Sequence, residues 1–427
     1  METNLLLGEN YIPRVVDTQV ARALSISGAV LIEGPRGSGK TFTGLRHASS
    51  AVFLDDPKTQ QLIDIDPQYP LQGKPPHLID EWQLEPYVWN QMRRAVDRQQ
   101  GFGQFILTGS AVPSDDITRH TGAARFLRIR ERTMTWEEKG KSKPAIFFDE
   151  LFQGQLPHTD PMQWSVEENI DALLTSGFPA QRKLSLEDAG QVLGAYLEEI
   201  AHADIPRLAE IRLDAEVIRH LLQSIARNVA TEMSITTLRK DILTVAPSIQ
   251  NETIAHLVGL LERVFVVESV PAWAPKLRSK ARLRTSRKYH LADASLAAAA
   301  LYAGAKTLRE DPETLGFLFE SAVIHDLTVM AEAMGGRLYH YRDSNGYEID
   351  AVIQLPDGRW GAVEVKLGYR SVEGGIERLA KAVEQIDSQQ PPSFMSVISG
   401  TGMTYTAPNG VSTFPHLSLG FHKGLLN

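Results

Sequence analysis

A glycine-rich stretch near the start of the chain has the residue types and spacing of a phosphate-binding loop. The residues that fit the pattern G-x-x-x-x-G-K-[ST] are Gly34, Gly39, Lys40 and Thr41. In such a loop the backbone N–H groups surround phosphate oxygens, the lysine brings a positive charge to the β- and γ-phosphates, and the hydroxyl takes one position on Mg²⁺. We therefore predict a site for ATP and Mg²⁺ formed by Gly34, Pro35, Arg36, Gly37, Ser38, Gly39, Lys40 and Thr41. The alternative is a glycine-rich turn that binds nothing.

Two acids and two hydroxyls follow apolar runs further along the chain. One run precedes Asp80 and Glu81, and the next precedes Thr108 and Ser110. A nucleotide hydrolase needs two carboxylates with different tasks, so we predict that Asp80 holds Mg²⁺ and that Glu81 orients or deprotonates the attacking water. Ser110 or Thr108 is placed to hydrogen-bond that water or the γ-phosphate. The alternatives are an acidic turn at a strand end and hydroxyls that cap the neighbouring strand.

Strands that alternate with helices must position these residues. Four apolar runs predict strands, and segments with helical spacing lie before the first run and after the third. This alternation predicts a parallel sheet that binds ligands at the carboxyl ends of its strands. Each motif described so far follows such a strand, so the sequence predicts a single site at that edge of the sheet.

A second constellation of charged residues lies near the C-terminus. Residues 347–353 and 361–367 alternate in polarity on either side of a Pro-Asp-Gly turn, which predicts two paired strands. On these strands Asp350 and Glu364 can bind a divalent cation, and Lys366 can stabilise a hydroxide or a phosphate under attack. The alternative is a charge-bridged pair of strands without catalysis, in which Lys366 neutralises Glu364.

A basic segment precedes this constellation. Seven cations and no acid lie between Glu268 and Asp293, after three segments with helical spacing and one apolar strand. Such a cluster can contact several phosphates of DNA. The residues that we predict to bind DNA are Lys276, Arg278, Lys280, Arg282 and Arg284. The alternatives are a solvated face and a docking surface for the acidic remainder of the chain.

The composition narrows the class of protein. The chain has 427 residues, a length typical of about three domains. It contains no cysteine, which excludes disulfides, zinc–thiolate sites and cysteine nucleophiles and suits a reducing cytoplasm. We find no signal peptide and no sufficiently long uninterrupted apolar run, so we expect a cytoplasmic protein without a membrane span. A net charge of −8 argues against a protein that binds nucleic acid over its whole surface, but it is compatible with a local basic patch.

The motifs GPRGSGKT, HLIDEWQ and FILTGSA resemble those of bacterial and archaeal AAA+-type ATPases that carry a C-terminal domain of unknown function. The resemblance implies an α/β fold: a P-loop NTPase parallel sheet with a helical lid, a winged-helix module and a C-terminal restriction-endonuclease-like α/β domain. It divides the chain into an ATPase core at residues 1–140, a linker and lid at 141–210, a winged helix at 211–305 and a nuclease-like domain at 306–427.

The same resemblance implies roles for individual residues. It makes Asp350 the metal-binding acid of a PD-(D/E)xK core, Glu364-Val-Lys366 its E-x-K element and Glu320 its helix acid, with Mg²⁺ or Mn²⁺ bound. Arg125 matches by position only, because the glycine of the family's Gly-Arg pair is displaced here. An arginine at this position can neutralise charge on the γ-phosphate in its own subunit or in a neighbouring copy, which leaves a homo-oligomer open. The alternative is a solvated or structural arginine.

Three functions follow from these predictions. In the first, an ATP-hydrolysing AAA+-type ATPase is coupled to a nuclease-like domain that acts on or is regulated by DNA. The second is a nucleotide-gated regulator that binds DNA or protein and cuts no bond except that of the γ-phosphate. The third is a regulatory protein that recognises DNA through its winged helix.

Overall fold

A computed structural model describes residues 11–110, 125–159, 163–208, 214–275, 287–343, 345–388 and 390–422. The described chain divides into two compact units. The first contains the residues up to Thr133 together with Arg263–Phe265, and the second contains Met134–Glu262 and Val266–His422. Apart from Arg263–Phe265, the described parts of the segments predicted as lid, winged helix and nuclease-like domain therefore belong to one unit.

The first unit contains a five-stranded parallel sheet, as the alternation of strands and helices predicts. Its strands in chain order are β1 Ala29–Glu33, β2 Ser50–Phe53, β3 His77–Asp80, β4 Phe105–Gly109 and β5 Phe126–Arg130. They are arranged β2-β3-β4-β1-β5 across the sheet. The strand before the phosphate loop, β1, consequently lies between β4 and β5 and is buried.

Helices cover both faces of this sheet. They are α1 Val16–Ile26, α2 Lys40–His47, α3 Pro57–Ile65 and α4 Tyr87–Gln99. Successive residues of a strand point to opposite faces, so Ala29 and Leu31 belong to one hydrophobic cluster and Val30 and Ile32 to another. A strand with helices on both faces requires apolar residues at successive positions, which is the pattern of β1. This pattern places β1 in the centre of the core.

The second unit is built on a six-stranded mixed sheet. Its strands are β9 Arg337–Arg342, β10 Glu348–Gln354, β11 Trp360–Lys366, β12 Phe394–Ser399, β13 Tyr405–Thr406 and β14 Ser412–Pro415, in the order β13-β14-β12-β11-β10-β9. As predicted, β10 and β11 are antiparallel neighbours, while β11 and β12 are parallel. The turn between β10 and β11 contains Gly358, whose φ of 92° favours glycine.

Helices and a small hairpin complete this unit. The helices are α5 Phe148–Leu151, α6 Val166–Leu174, α7 Leu186–Glu199, α8 Ile205–Leu208, α9 Ala215–Arg227, α10 Ile235–Ile242, α11 Asn251–Arg263, α12 Ala294–Ala300, α13 Ala305–Glu310, α14 Pro312–Ala333 and α15 Val372–Glu384. After α9, α10 and α11 the chain forms an antiparallel hairpin of Val267–Val270 with Lys288–Leu291, called β7 and β8 here. A short parallel pair joins β6, Ile146–Phe147, to β15, Leu419–Gly420.

Helix α14 is the one described helix that is long and apolar enough to cross a membrane by length and composition. Of its most apolar stretch, 67% is buried inside the protein. Burial of this kind is what a core helix of the second unit requires.

Candidate functional site

The predicted phosphate-binding loop connects β1 to α2. Gly37 and Gly39 have φ angles of 80° and 115°, which bring the backbone into a conformation that other residues rarely adopt. Gly34 lies against the chain after β5, because a Cβ added there would be 2.0 Å from the Glu131 carbonyl oxygen. The glycines of the motif are therefore needed for the turn and for close packing.

Lys40 is buried within this loop. Its Nζ donates a hydrogen bond to the Pro35 carbonyl at 2.7 Å, so the ammonium lies inside the curve of the loop. Burial lowers the pKa of Lys40, and the nearby acids, Glu131 foremost, oppose that shift. A desolvated cation enclosed by a glycine-rich loop is suited to binding the phosphates of a nucleotide.

The loop hydroxyl and the first acid are brought together. Thr41 Oγ1 donates to Asp80 Oδ1 at 2.9 Å, and Thr108 Oγ1 donates to the same carboxylate oxygen. Burial raises the pKa of Asp80, while the hydrogen bonds from Thr108 and Thr41 lower it. Adjacent carboxylate and hydroxyl oxygens are hard ligands of the kind that Mg²⁺ prefers, so the predicted pair Thr41 and Asp80 fits that ion.

The second acid, Glu81, has an unusual backbone. Its φ of 53° is in the left-handed region, which is uncommon for residues other than glycine. Gln83 donates a hydrogen bond to its carboxylate, and Ser110 Oγ lies 3.5 Å from the same oxygen. Glu81 and Ser110 are therefore neighbours, as their positions at adjacent strand ends predict.

The prediction that Arg125 acts in the site of its own chain is wrong. Arg125 precedes β5, and its carbonyl accepts a hydrogen bond from Ala29 at the start of β1, on the amino edge of the sheet. Its guanidinium binds Asp97 on α4, with Nε and Oδ1 2.6 Å apart. The phosphate loop follows the opposite end of β1, so Arg125 does not reach it.

A buried pair beside the loop was not predicted. Arg14 donates to the Ser38 carbonyl at 3.0 Å and to the Arg132 carbonyl at 3.0 Å, and it forms an ion pair with Glu131 at 3.4 Å. Burial raises the pKa of Glu131 to about 7, against the lowering effects of Arg14 and Lys40. The partners are separated by 117 residues, and neither belongs to a motif, so no sequence signal connects them.

In the second unit the structure brings the predicted C-terminal set together. The pairing of Ala351 with Val363 places Asp350 opposite Glu364 on β10 and β11. Asp350 accepts a hydrogen bond from the Val365 N–H at 2.8 Å. Lys366 forms an ion pair with Glu364 at 2.7 Å, which is the charge-bridged arrangement considered above.

A further lysine enters this set from the hairpin. Lys288 on β8 has its Nζ 3.0 Å from Glu320 and 3.6 Å from Asp350, and the residue is only 9% exposed. Burial, reinforced by Asp350, raises the pKa of Glu320 to about 8 and that of Glu364 to about 7. Burial alone would lower the pKa of Lys288, but the charges of Glu320 and Asp350 raise it overall.

The acids predicted to hold a divalent cation, Glu320, Asp350 and Glu364, are paired with lysines in this arrangement. Among the described residues no group of three or more acids, histidines or cysteines is placed to hold a metal ion. The physical reason is that Lys288 and Lys366 already supply positive charge to these carboxylates. A third cation would be repelled by both ammonium groups.

The predicted DNA contacts lie outside the described residues. They are Lys276, Arg278, Lys280, Arg282 and Arg284, in the connection between β7 and β8. Arg287, the next cation of the cluster, donates to Ser269 Oγ at 3.0 Å across the hairpin. The basic segment therefore remains a prediction from the sequence.

Two family models match parts of the chain. A Domain of unknown function (DUF8612) matches residues 166–307, and a second Domain of unknown function (DUF4143) matches residues 315–414. Apart from Arg263–Phe265, both matches lie in the second unit, and each covers less than half of the chain. No curated protein matches the sequence.

Solved structures similar to the chain include three proteins at low identity. A Walker-type ATPase of Pyrococcus abyssi is 12% identical over 70% of this chain and 97% of its own, with a TM-score of 0.42. The Orc1 protein of Aeropyrum pernix, solved in complex with DNA, is 13% identical over 73% of this chain and 97% of its own, with a TM-score of 0.25. PCH-2 of C. elegans is 13% identical over 61% and 67% of the respective chains, with a TM-score of 0.20. Because all three TM-scores are below 0.5, these similarities carry no conclusion about the function of this chain.

Proposed function

We propose that the first unit binds ATP with Mg²⁺ and hydrolyses its γ-phosphate bond. The observation that carries this proposal is the contact of Thr41 Oγ1 with Asp80 Oδ1 at 2.9 Å, beside a loop that encloses a buried lysine. These groups come from separate elements, and their meeting at the carboxyl edge of a parallel sheet is what a nucleotide hydrolase needs.

Each residue has a defined task in this proposal. Backbone N–H groups of residues 34–41 bind phosphate oxygens, and Lys40 brings its charge to the β- and γ-phosphates. Thr41 and Asp80 hold Mg²⁺, which neutralises charge on the phosphates when bound. Glu81, supported by Gln83 and Ser110, orients the attacking water and accepts its proton.

For the second unit we propose a role in binding that is controlled by the nucleotide. Its mixed sheet with α14 supports a nuclease-like core, and its three helices followed by a hairpin support a winged helix. The ion pairs of Lys288 and Lys366 with the carboxylates favour a regulator that contacts DNA without cutting it. Cleavage of DNA with Mg²⁺ or Mn²⁺ at Asp350 and Glu364 is the second candidate, favoured only by the convergence of those acids.

Nucleotide binding and turnover of purified variants test the proposal for the first unit. Lys40→Ala is expected to lose both nucleotide affinity and phosphate release, since the loop then lacks its cation. Glu81→Gln should bind ATP like the unmodified chain. It should release phosphate about 100-fold more slowly, because only proton transfer is removed. Lys58→Ala, on the exposed side of α3, is the matched control. Full turnover by the Lys40 variant would exclude the assigned site.

A further inference from the structure

Two alternate residues of the hairpin strand β8, Lys288 and His290, face helix α14. Lys288 binds Glu320, and His290 lies 3.0 Å from Ser321 Oγ through its Nδ1. Both residues are more than nine-tenths buried, and burial lowers the pKa of His290 to about 3, so this imidazole is neutral. Alternate residues of a strand lie on one face, which explains why both reach the same helix while Arg287 does not.

The ammonium of Lys288 lies where two acids converge from different elements. Glu320 comes from α14 and Asp350 from β10, and Lys288 Nζ lies within 3.6 Å of both. Two carboxylates that meet at one point are sufficient to bind a divalent cation together with water. In this structure the ammonium of Lys288 occupies the position between the two carboxylates.

We propose that Lys288 is an internal cation that closes the Glu320–Asp350 site, so that a divalent cation binds there only when the Lys288 ammonium is displaced. Lys288 and a divalent cation compete for the same oxygens and repel each other. Contact of the ammonium with these carboxylates and binding of the metal are therefore mutually exclusive, and each weakens the other by the same factor.

The surroundings of the site are consistent with this exchange. A cleft of about 300 Å³ leads to Lys288, Glu320 and Asp350, and its wall includes Glu232 and His340. A small ion can reach the carboxylates through this cleft once the ammonium has moved. Glu364 is neutralised separately by Lys366, so the pair that Lys288 closes is Glu320 and Asp350.

Titration of Mn²⁺ into the full-length protein, followed by the electron paramagnetic resonance signal of the free ion, tests the proposal. We compare the unmodified chain with Lys288→Met, Lys288→Met combined with Asp350→Asn, and Arg287→Met. Lys288→Met should gain one Mn²⁺ site with a Kd at least 10-fold lower than any site of the unmodified chain. The added Asp350→Asn should abolish that site, and Arg287→Met, which removes a cation facing the other way, should resemble the unmodified chain.

Two results would overturn the proposal. One is equal Mn²⁺ affinity of the unmodified chain and Lys288→Met, and the other is a gained site that survives Asp350→Asn. Lys288→Gln removes the charge, keeps a polar side chain and serves as the second variant if Lys288→Met does not fold; the same gain is expected of it. The titration contains no nucleotide, so its outcome is independent of ATP hydrolysis by the first unit.

Discussion

Two buried acids at the carboxyl edge of the first sheet have different partners. Asp80 accepts hydrogen bonds from two hydroxyls, whereas Glu131 is paired with the guanidinium of Arg14. Hydroxyls share a carboxylate readily with a metal ion, but a guanidinium fixed by two backbone carbonyls does not leave its partner. The Asp80 carboxylate is thus suited to chemistry, and the Glu131 carboxylate to holding the phosphate loop against β5.

We expect Glu131→Gln to change how stability depends on pH. The pKa of Glu131 is raised from 4.5 to about 7, so between these values the folded protein retains a proton that the unfolded chain has released. Raising the pH through this window therefore lowers the free energy of unfolding, by about 3 kcal/mol at 1.36 kcal/mol per unit. The glutamine variant has no such proton and should lose less stability over the same window.

Denaturant unfolding across this window, on both proteins, measures the difference. Asp64→Asn, an exposed change on α3, is the control and should follow the unmodified chain. Parallel pH profiles for Glu131→Gln and the unmodified chain would show that Glu131 does not retain its proton.

At the scale of the elements, the phosphate loop depends on how closely β1 approaches the end of β5. The backbone of Gly34 is packed against the Glu131 carbonyl, and Arg14 binds the Ser38 carbonyl from the other side. The loop is consequently held between the chain that precedes α1 and the chain that follows β5. Its conformation is a property of three segments and not of the motif alone.

Gly34→Ala is expected to damage the loop. The added methyl group would meet backbone 2.0 Å away, which cannot move without disturbing β5. We expect a lower melting temperature and at least a 10-fold loss of nucleotide affinity, measured by calorimetry and equilibrium binding. Gly190→Ala on α7 is the matched control, since nothing lies within 4 Å of its new Cβ. That variant should gain up to about 1 kcal/mol from helix propensity, and nucleotide affinity unchanged in Gly34→Ala would contradict the assigned packing.

At the scale of the whole molecule, the charge distribution limits how DNA can bind. The chain carries a net charge of −8, so a uniform attraction to phosphates is excluded and binding must rely on a local cluster. The segment between β7 and β8 is the cluster that the sequence offers. Binding by a few cations of this kind depends strongly on salt.

Replacing Lys280, Arg282 and Arg284 by alanine should weaken DNA binding. Each lost phosphate contact lowers the slope of log affinity against log salt by about 1, so the triple variant should lose about 3 units of slope. The measurement is fluorescence anisotropy with a DNA duplex over a range of salt concentrations. Alanine at the exposed Lys183, Lys306 and Lys381 makes the same change of charge elsewhere. If both triple variants lose the same slope, the effect comes from net charge, and the segment between β7 and β8 is not the DNA-binding site.

The sequence alone determined the parts that depend on short spacing. The pattern from Gly34 to Thr41 places glycines, lysine and hydroxyl within one turn, and the apolar runs before Asp80 and Ser110 identify the strands that bring them together. Polarity that alternates around a Pro-Asp-Gly turn likewise predicted the two paired strands that carry Asp350 and Glu364, because the period of a strand is two residues.

Only the tertiary structure decided the contacts between distant segments. It placed Arg125 at the amino edge of the sheet, although its match by position to the Gly-Arg pair of the resembling family had suggested the site. It joined Arg14 to Glu131 across 117 residues, and it inserted Lys288 between Glu320 and Asp350. Local patterns specify which face a residue occupies on its own element. Which charges meet depends on how elements pack, and for buried charges that packing decides whether two acids bind a metal ion or a lysine of the same chain.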